Sequence, residues 1–411
     1  MRATTIFRRL LGIASTLVTG YAFAPETLHL WVRPSWRSPR CSGCHRKAKK
    51  LDDLTEDRSW RHLPWGKTRV VLHYNVRRVR CKRCGDVVEL LPWSAEPRDK
   101  FSAPMCDLIG HLAQNMSHNR VSGLLGIAWE TVGRVARRVA ERLLSEDRLD
   151  NLKRIAVDEF NWAEKKYITV VWDHDCSRVV WAGEGKAEDS LLPFFTQLGR
   201  ERCAKIEIVT GDMSAAYINA VEHHLPNAQF VLDHFHVLKL AHEALDIVRR
   251  EIARELRGEG DMEEAKAVKN TRYVLLSDSE DLSPQAISKI DSVQRAAPRL
   301  YRAWSMKEAL AFILHSTSVE MAERDLKRIT KWMKLSRLQP FIKLGHTLCK
   351  HLSQILNSIR YQLTNGPLEG CNRKIRGLIY RSYGYRSLDN FLAAIYLNCG
   401  GIQVPNPLAT C

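Results

Sequence analysis

RIAVDEFNW at residues 154–162 and KIEIVTGDMSAAY at residues 205–217 decide how the second half of this chain is read. In the first, Ile155, Ala156 and Val157 form a strand-like apolar run that ends at Asp158, with Glu159 beside it. In the second, Ile206 to Thr210 form another such run, followed by Gly211 and Asp212. Short apolar runs bounded by turn residues suit strands buried on both faces. Acids at the ends of adjacent strands can converge on a divalent cation, so Asp158 and Asp212 are candidates for one metal-dependent site. Tyr167 to Trp172, Val179 to Ala182 and Phe230 to Leu232 are further strand candidates, with helical segments among the later ones. That alternation points to a mixed α/β sheet over residues 151–250.

Four regions separate around this core by pattern. The 411 residues exceed what one hydrophobic core usually organises, so two to four structural units are expected. Residues 1–100 are rich in Trp, Arg and β-forming residues and end at turn-like sequence, Pro92 and Glu96-Pro97-Arg98. Residues 101–150 read as short helices, with Leu108, Leu112, Val121, Leu124 and Leu125 at helical spacing. Residues 251–355 are charged helical sequence, and the stretch 356–411 carries a last helical pair. Apolar residues make up 45% and charged residues 27%, the balance of a folded globular protein rather than a disordered one.

Lys and Arg number 63 against 46 Asp and Glu, a formal charge of +17. Such an excess favours a polyanionic partner, nucleic acid foremost, although a solvated basic face would carry the same charge. Arg8 and Arg9 followed by the apolar run Leu10 to Ala24 imitate a secretory signal. Gly12, Ser15, Thr16, Thr19 and Gly20 dilute that run, and Thr16 to Val32 reads instead as two strands turning at Pro25. No stretch reaches the roughly 20 apolar residues of a membrane span, so no membrane partner is expected.

Cys41-Ser-Gly-Cys44 and Cys81-Lys-Arg-Cys84 are two C-x-x-C knuckles. Four thiolates from two such turns make a closed tetrahedral site suited to structural Zn²⁺. The 36 residues between Cys44 and Cys81 form a long gap, and strand-like sequence at Thr68 to Arg80 can bring the second knuckle back. A rival reading is that Cys41 to His45 spells C-x-x-C-H, the attachment pattern of c-type haem; the second knuckle and the basic surroundings argue against it.

HNRVSGLLGIAWETVGRVARRV, residues 118–139, has an apolar first helix, Gly126 at a tight turn and a second helix opening near Trp129. This is the layout of a helix-turn-helix, the alternative being a plain three-helix bundle with a basic solvated face. In the first case Thr131, Arg134, Arg137 and Arg138 face DNA while Val132 and Val135 pack inward.

Two acids do not complete a two-metal site, and the third is best sought on a helix crossing the sheet. Glu369, in TNGPLEGCN at residues 364–372, opens such a helix, whose face continues through Asn372, Arg373 and Arg376. Glu308 and Glu320 are the next candidates, whereas Glu159, Asp173, Asp175 and Glu184 read as hairpin-surface or turn residues.

VDEF at Asp158, TGDMSAAY at Asp212, LDHFHVLKL around Asp233, and NGPLEGCNRKIRGLIYRSYGYRSLDNF from Asn365 together resemble the DDE transposases of the ISL3 group of bacterial insertion sequences. The resemblance spans nearly the whole chain and includes the cysteine knuckles and RSWRHLPW at residues 58–65. It implies a multidomain α+β protein. A zinc-binding β-rich domain (1–100) and a helix-turn-helix domain (101–150) would precede a ribonuclease-H-like α/β catalytic core. That core would start at 151–250, be interrupted by an all-helical insertion at 251–355, and be completed at 356–411.

Carried over residue by residue, the resemblance implies that Asp158, Asp212 and Glu369 bind catalytic Mg²⁺ or Mn²⁺. Asp233 and His236 match an Asp-x-x-His motif, to which a site-shaping role is assigned in place of ligation. Arg373, Lys374, Arg376 and Arg381 would hold phosphates near the third acid, unless they are consumed in internal salt bridges. The implied activity is binding of terminal inverted repeats and metal-dependent cleavage and strand transfer into target DNA. The protein would work as a homodimer on paired ends, in the cytoplasm on the nucleoid. The alternatives are a DNA-binding regulator without chemistry and a nuclease that cleaves without joining.

Overall fold

A computed structural model of the chain describes residues 2–96, 99–277, 280 and 282–409, with the side chains of residues 55, 56 and 146 also left outside that set. Pro97 and Arg98 of the expected boundary turn thus lie outside the described residues. The chain forms two compact units, Met1–Ser145 together with Leu378–Cys411, and Glu146–Gly377.

The first unit begins with α1 (Ala3–Leu11), followed by β1 (Thr16–Ala24), β2 (Thr27–Pro34), β3 (Lys49–Trp65), β4 (Thr68–Cys81) and β5 (Gly85–Val88). The signal-like run is therefore split between the end of α1 and β1. β1 pairs antiparallel with β2 about a turn at Pro25 and Glu26, as expected. The sheet order is β1-β2-β4-β3, with β5 on the far end of β4. Leu28, Leu30 and Val32 alternate inward from β2 and meet Val70 and Leu72 of β4, the period of 2 that a one-sided sheet requires. Trp60 and Trp93 complete this core in an edge-to-face contact with ring centroids 5.7 Å apart.

Three helices follow: α2 (Ala103–Asn115), α3 (His118–Leu125) and α4 (Trp129–Leu143). Ser102 caps α2 by accepting from the Met105 N–H, and Gly126 ends α3 with φ of 60°, a conformation that glycine adopts without strain. β3 is joined to this bundle through its backbone: the Arg61 N–H donates to the Lys100 carbonyl, and the Ser102 N–H to the Arg61 carbonyl.

The second unit carries β6 (Arg154–Ala163), β7 (Lys166–Asp173) and β8 (Arg178–Glu184), then α5 (Leu192–Leu198), α6 (Arg200–Cys203), β9 (Ile208–Gly211), α7 (Ala215–His224) and β10 (Gln229–Leu232). The sheet order is β10-β9-β6-β7-β8: an antiparallel meander of three strands, extended by two strands parallel to the first. After β10 the described chain is helical: α8 (His234–Glu259), α9 (Met262–Lys269), α10 (Arg272–Leu276), α11 (Pro284–Ala296), α12 (Pro298–Leu314), α13 (Val319–Leu335), α14 (Gln339–Lys350) and α15 (Leu352–Tyr361). α16 (Gly366–Ser382) and α17 (Leu388–Cys399) end the fold.

The stretch 356–411, expected as one completing piece, is divided between the units. Residues to Gly377 stay with the α/β sheet, and those from Leu378 join the N-terminal unit. There Ala393, Leu397 and Val404 enter the core formed by α2, α3 and α4. Gly133 lets α4 pack closely on α17, because a Cβ there would lie 2.9 Å from Nδ2 of Asn390. No helix among the described residues is long and apolar enough to cross a membrane.

Candidate functional site

The first cluster is made by two turns at one end of the N-terminal sheet. Cys41 and Cys44 lie on a turn closed by hydrogen bonds between Cys41 and the segment Arg46/His45, and Cys81 and Cys84 link β4 to β5. The β3–β4 hairpin occupies the long gap between the knuckles and returns the chain to the start of the turn. The four Sγ atoms lie within 4.8 Å of one another. Gly43 lets them meet, since a Cβ at that position would approach Sγ of Cys84 to 3.3 Å. The Cys81 thiol is pulled down to about 6 by N–H donors of Arg83 and Cys84, while its neighbour Cys41 pushes Cys84 up to about 12. A divalent soft-ligand ion relieves this crowding of thiolates, so the donor set fits structural zinc.

The second cluster lies where β9 and β10 end. Ala156 of β6 is opposite Thr210 of β9, so continuing that parallel register by two residues sets Asp158 level with Asp212. Gly211 is opposite Leu232 of β10, so one further residue sets Asp212 level with Asp233. Asp158 on β6 thus shares one row with Asp212 and Asp233, each one residue past the end of β9 and β10. Asp158 does not end its strand, as the sequence reading had it; β6 continues to Ala163, and it is the partner β9 that stops. Gly211 keeps the row close, because a Cβ there would meet the Phe230 ring at 2.9 Å and the Val157 carbonyl at 3.3 Å.

Asp158 is held from both sides: its oxygens accept from the Glu159 N–H at 2.8 Å and from Nδ2 of Asn372 at 2.7 Å. Burial nevertheless raises its pKa to about 6, and the nearby Asp212 charge adds to the rise. Asp212 accepts from the Ser214 N–H before α7, and the buried Asp233 caps α8 by accepting from the Phe235 N–H.

α16 brings in the third acid. Donor atoms of Asp233, His236 and Glu369 lie within 4.8 Å of one another, as close as ligands of a single ion. Asp233 and His236 therefore stand beside Glu369. Glu308, a fallback candidate, is instead paired with the buried Lys307, and Glu320 with the Ser318 hydroxyl. Asp175 pairs with Arg154 in a turn, as expected, but Asp173 is buried and accepts the Asp175 N–H.

Sequence reasoning passed over the residues that fasten α16. The Thr210 hydroxyl donates to Oδ1 of Asn365 at 2.5 Å, and His174 reaches the same hydroxyl at 2.9 Å. Asn365 also accepts the Glu369 N–H on its carbonyl, so this residue ties the start of α16 to β9 next to Asp212. The available signal was Asn-Gly-Pro at the start of a helix, with Asn365 directly before it. Along α16, Arg373, Lys374 and Arg376 are exposed and make no ion pair among the described residues; Arg376 stacks over the Phe160 ring at 5.5 Å.

The third region is α3 and α4. Val132 and Val135 are buried, as expected, and Arg134 is exposed with its guanidinium 3.2 Å from the Thr131 hydroxyl. The other two arginines are engaged elsewhere. Arg137 pairs with Asp389 at 2.9 Å and Arg138 with the buried Asp99 at 2.6 Å. Periodicity places a side chain on a face but does not reveal which acid a distant segment presents to it.

Comparisons with known proteins place the chain among transposases. A model of the ISL3-type DDE family, described as transposase, matches residues 155–395, and a model described as the zinc-finger of transposase IS204/IS1001/IS1096/IS1165 matches residues 37–84. The transposase for insertion sequence element IS1557 of Mycobacterium tuberculosis is 33% identical over 98% of this chain and 96% of its own length. The transposase for insertion sequence element IS1001 of Bordetella parapertussis is 27% identical over 90% of this chain and 91% of its own.

Proposed function

The chain belongs to the ISL3 family of DDE transposases, and from that premise we propose that Asp158, Asp212 and Glu369 hold the divalent ions, Mg²⁺ or Mn²⁺, with which it cuts and joins DNA strands. Two observations carry this reading: strand register sets Asp158, Asp212 and Asp233 level, and Asp233 also belongs to a cluster with His236 and Glu369 whose donor atoms lie within 4.8 Å of one another. Hard oxygen donors suit Mg²⁺, and one imidazole also admits Mn²⁺. When bound, such ions activate a water or a 3′ hydroxyl and stabilise the leaving oxygen.

The chain's own residues do the positioning. Asn372 and the Glu159 N–H orient Asp158, and the Asn365–Thr210 bond fixes the helix that carries Glu369. Burial, with a smaller contribution from the Asp212 charge, raises the pKa of Asp158, and a bound cation would favour its charged form. Arg373, Lys374 and Arg376 extend from the same helix and would neutralise phosphates beside the acids.

A ribonuclease-H-like core is supported by the sheet order β10-β9-β6-β7-β8, with the helices α8 to α15 inserted before the last acid. A helix-turn-helix role for α3 and α4, reading the terminal inverted repeats through Thr131 and Arg134, is supported by the Gly126 turn and the exposure of Arg134. Two protomers would pair two ends.

Asp212→Asn and Glu369→Gln test the catalytic assignment, each removing one charge while nearly preserving shape. Strand cleavage and joining of duplexes carrying the element's ends should fall by at least about 10²-fold, with folding and DNA binding retained. Near-normal strand transfer by Glu369→Gln would move the third ligand elsewhere. Cleavage without joining by the unaltered chain would indicate a nuclease.

A further inference from the structure

From a cavity at the turn end of the N-terminal sheet we infer a second DNA contact: Lys67 and Arg69, backed by Arg61, form a cradle for the backbone phosphates of duplex DNA. This proposal rests on the reading of α3 and α4 as a DNA-binding pair. The cavity, of about 410 Å³, lies between the β1–β2 turn, the β3–β4 turn and the end of α3. Three cations line it, and the exposed Glu26 is the one carboxylate among its lining residues.

Positive charge outweighs negative at this cavity, and carboxylates of the unit are engaged elsewhere by six other arginines. Arg77, Arg78, Arg80, Arg137, Arg138 and Arg142 each pair with a carboxylate. Arg61, Lys67 and Arg69 make no ion pair among the described residues. Arg61 instead donates to the carbonyls of Leu125 and Gly126, at 2.5 and 3.1 Å, which hold its charge at the α3–α4 turn without neutralising it. Burial and the neighbouring Arg69 charge both disfavour its protonated form. An anion entering the cavity relieves that repulsion, and a phosphodiester supplies one.

Position points to duplex backbone. Arg61 also lines a second cavity, of about 460 Å³, with Lys100, Thr131 and Arg134, where the one carboxylate among the lining residues, Asp99, is paired with Arg138. The basic track thus runs from the β3–β4 turn to the N-terminal part of α4, where a helix-turn-helix meets the groove. The cysteine knuckles lie at the other end of β4, on the order of 40 Å away at the rise of a strand. DNA contact by this sheet is therefore assigned to its turns, and the zinc end is left as a structural staple.

Full-length zinc-loaded protein is titrated into a fluorescent 30-bp mixed-sequence duplex over a range of salt concentrations, comparing Lys67→Gln/Arg69→Gln, Lys67→Arg/Arg69→Lys and Arg134→Gln. Lys67 and Arg69 are exposed and without ion pairs, so both double variants should keep the parent far-UV spectrum. The glutamine pair should weaken binding about 10-fold and lower the slope of log K against log salt by about 2, and the charge-conserving pair should change neither. An unchanged slope in the glutamine pair overturns the cradle. If Arg134→Gln then still weakens binding, the α3–α4 reading survives alone. If the glutamine pair weakens binding and Arg134→Gln does not, the cradle stands and that reading fails.

Discussion

His62 sits in β3 with almost no exposed surface, its Nδ1 2.8 Å from the Ser102 hydroxyl. Burial lowers its pKa from 6.5 to about 4. The folded protein thus keeps the ring neutral in a window where the unfolded chain protonates it, so the unfolded state binds more protons there. The resulting stability is fully present above about pH 6.5 and is lost as pH falls toward 4, amounting to about 3 kcal/mol across the window. Urea unfolding between pH 7.5 and 5 should show this loss in the parent and a shallower one in His62→Gln. Equal slopes would mean that His62 is hydrated in the native state. Asp158 is the opposite case, a carboxylate whose charge burial opposes, as expected of a group waiting for a cation. Neither environment is visible in the sequence, because residue type records what a group can do and not how much water surrounds it.

At the scale of elements, the knuckles were the most legible feature. A C-x-x-C turn is local, and two of them state their own partner. The purified chain should carry about one equivalent of zinc, and Cys81→Ser should lose it and loosen β4 and β5, which hydrogen exchange would report as lost protection there. Retained zinc in Cys81→Ser would remove that cysteine from the site. The helices α3 and α4 were legible in position and in their inward valines, but not in their outward charges. Arg137 and Arg138 occupy the helical positions that sequence assigned to DNA, yet Asp389 and Asp99, from distant segments, pair with them. The strands β7 to β10 match their apolar runs to within about two residues, which is the ordinary accuracy of periodicity where flanking turns set the ends.

The whole molecule is organised by a chain that leaves its first unit and returns to it. Leu378–Cys411 belongs with the N-terminal unit, and Ala393, Leu397 and Val404 are part of its core. Ending the chain at Arg386 should therefore expose α2 and α4 to hydrogen exchange and lower the thermal stability of the first unit by several degrees or more, since three buried apolar side chains are lost at once. Undiminished protection of α4 in that truncation would show that α17 contributes little to the core.

The sequence by itself determined the cysteine site, the alternation of strands and helices, the candidate acids Asp158, Asp212 and Glu369, and, through the joint order of its motifs, the family. These are carried by local periodicity and by residue types whose chemistry is narrow. Only the tertiary structure decided that Asp158, Asp212 and Asp233 share a row, that His236 stands with Glu369, and that Asn365 and Thr210 fasten α16. It likewise decided which arginines are paired and which remain to meet an anion. The reason is that strand register and the closing of long chain segments depend on how buried faces fit one another. Residues as far apart as Thr210 and Asn365 become neighbours only when that fit is complete.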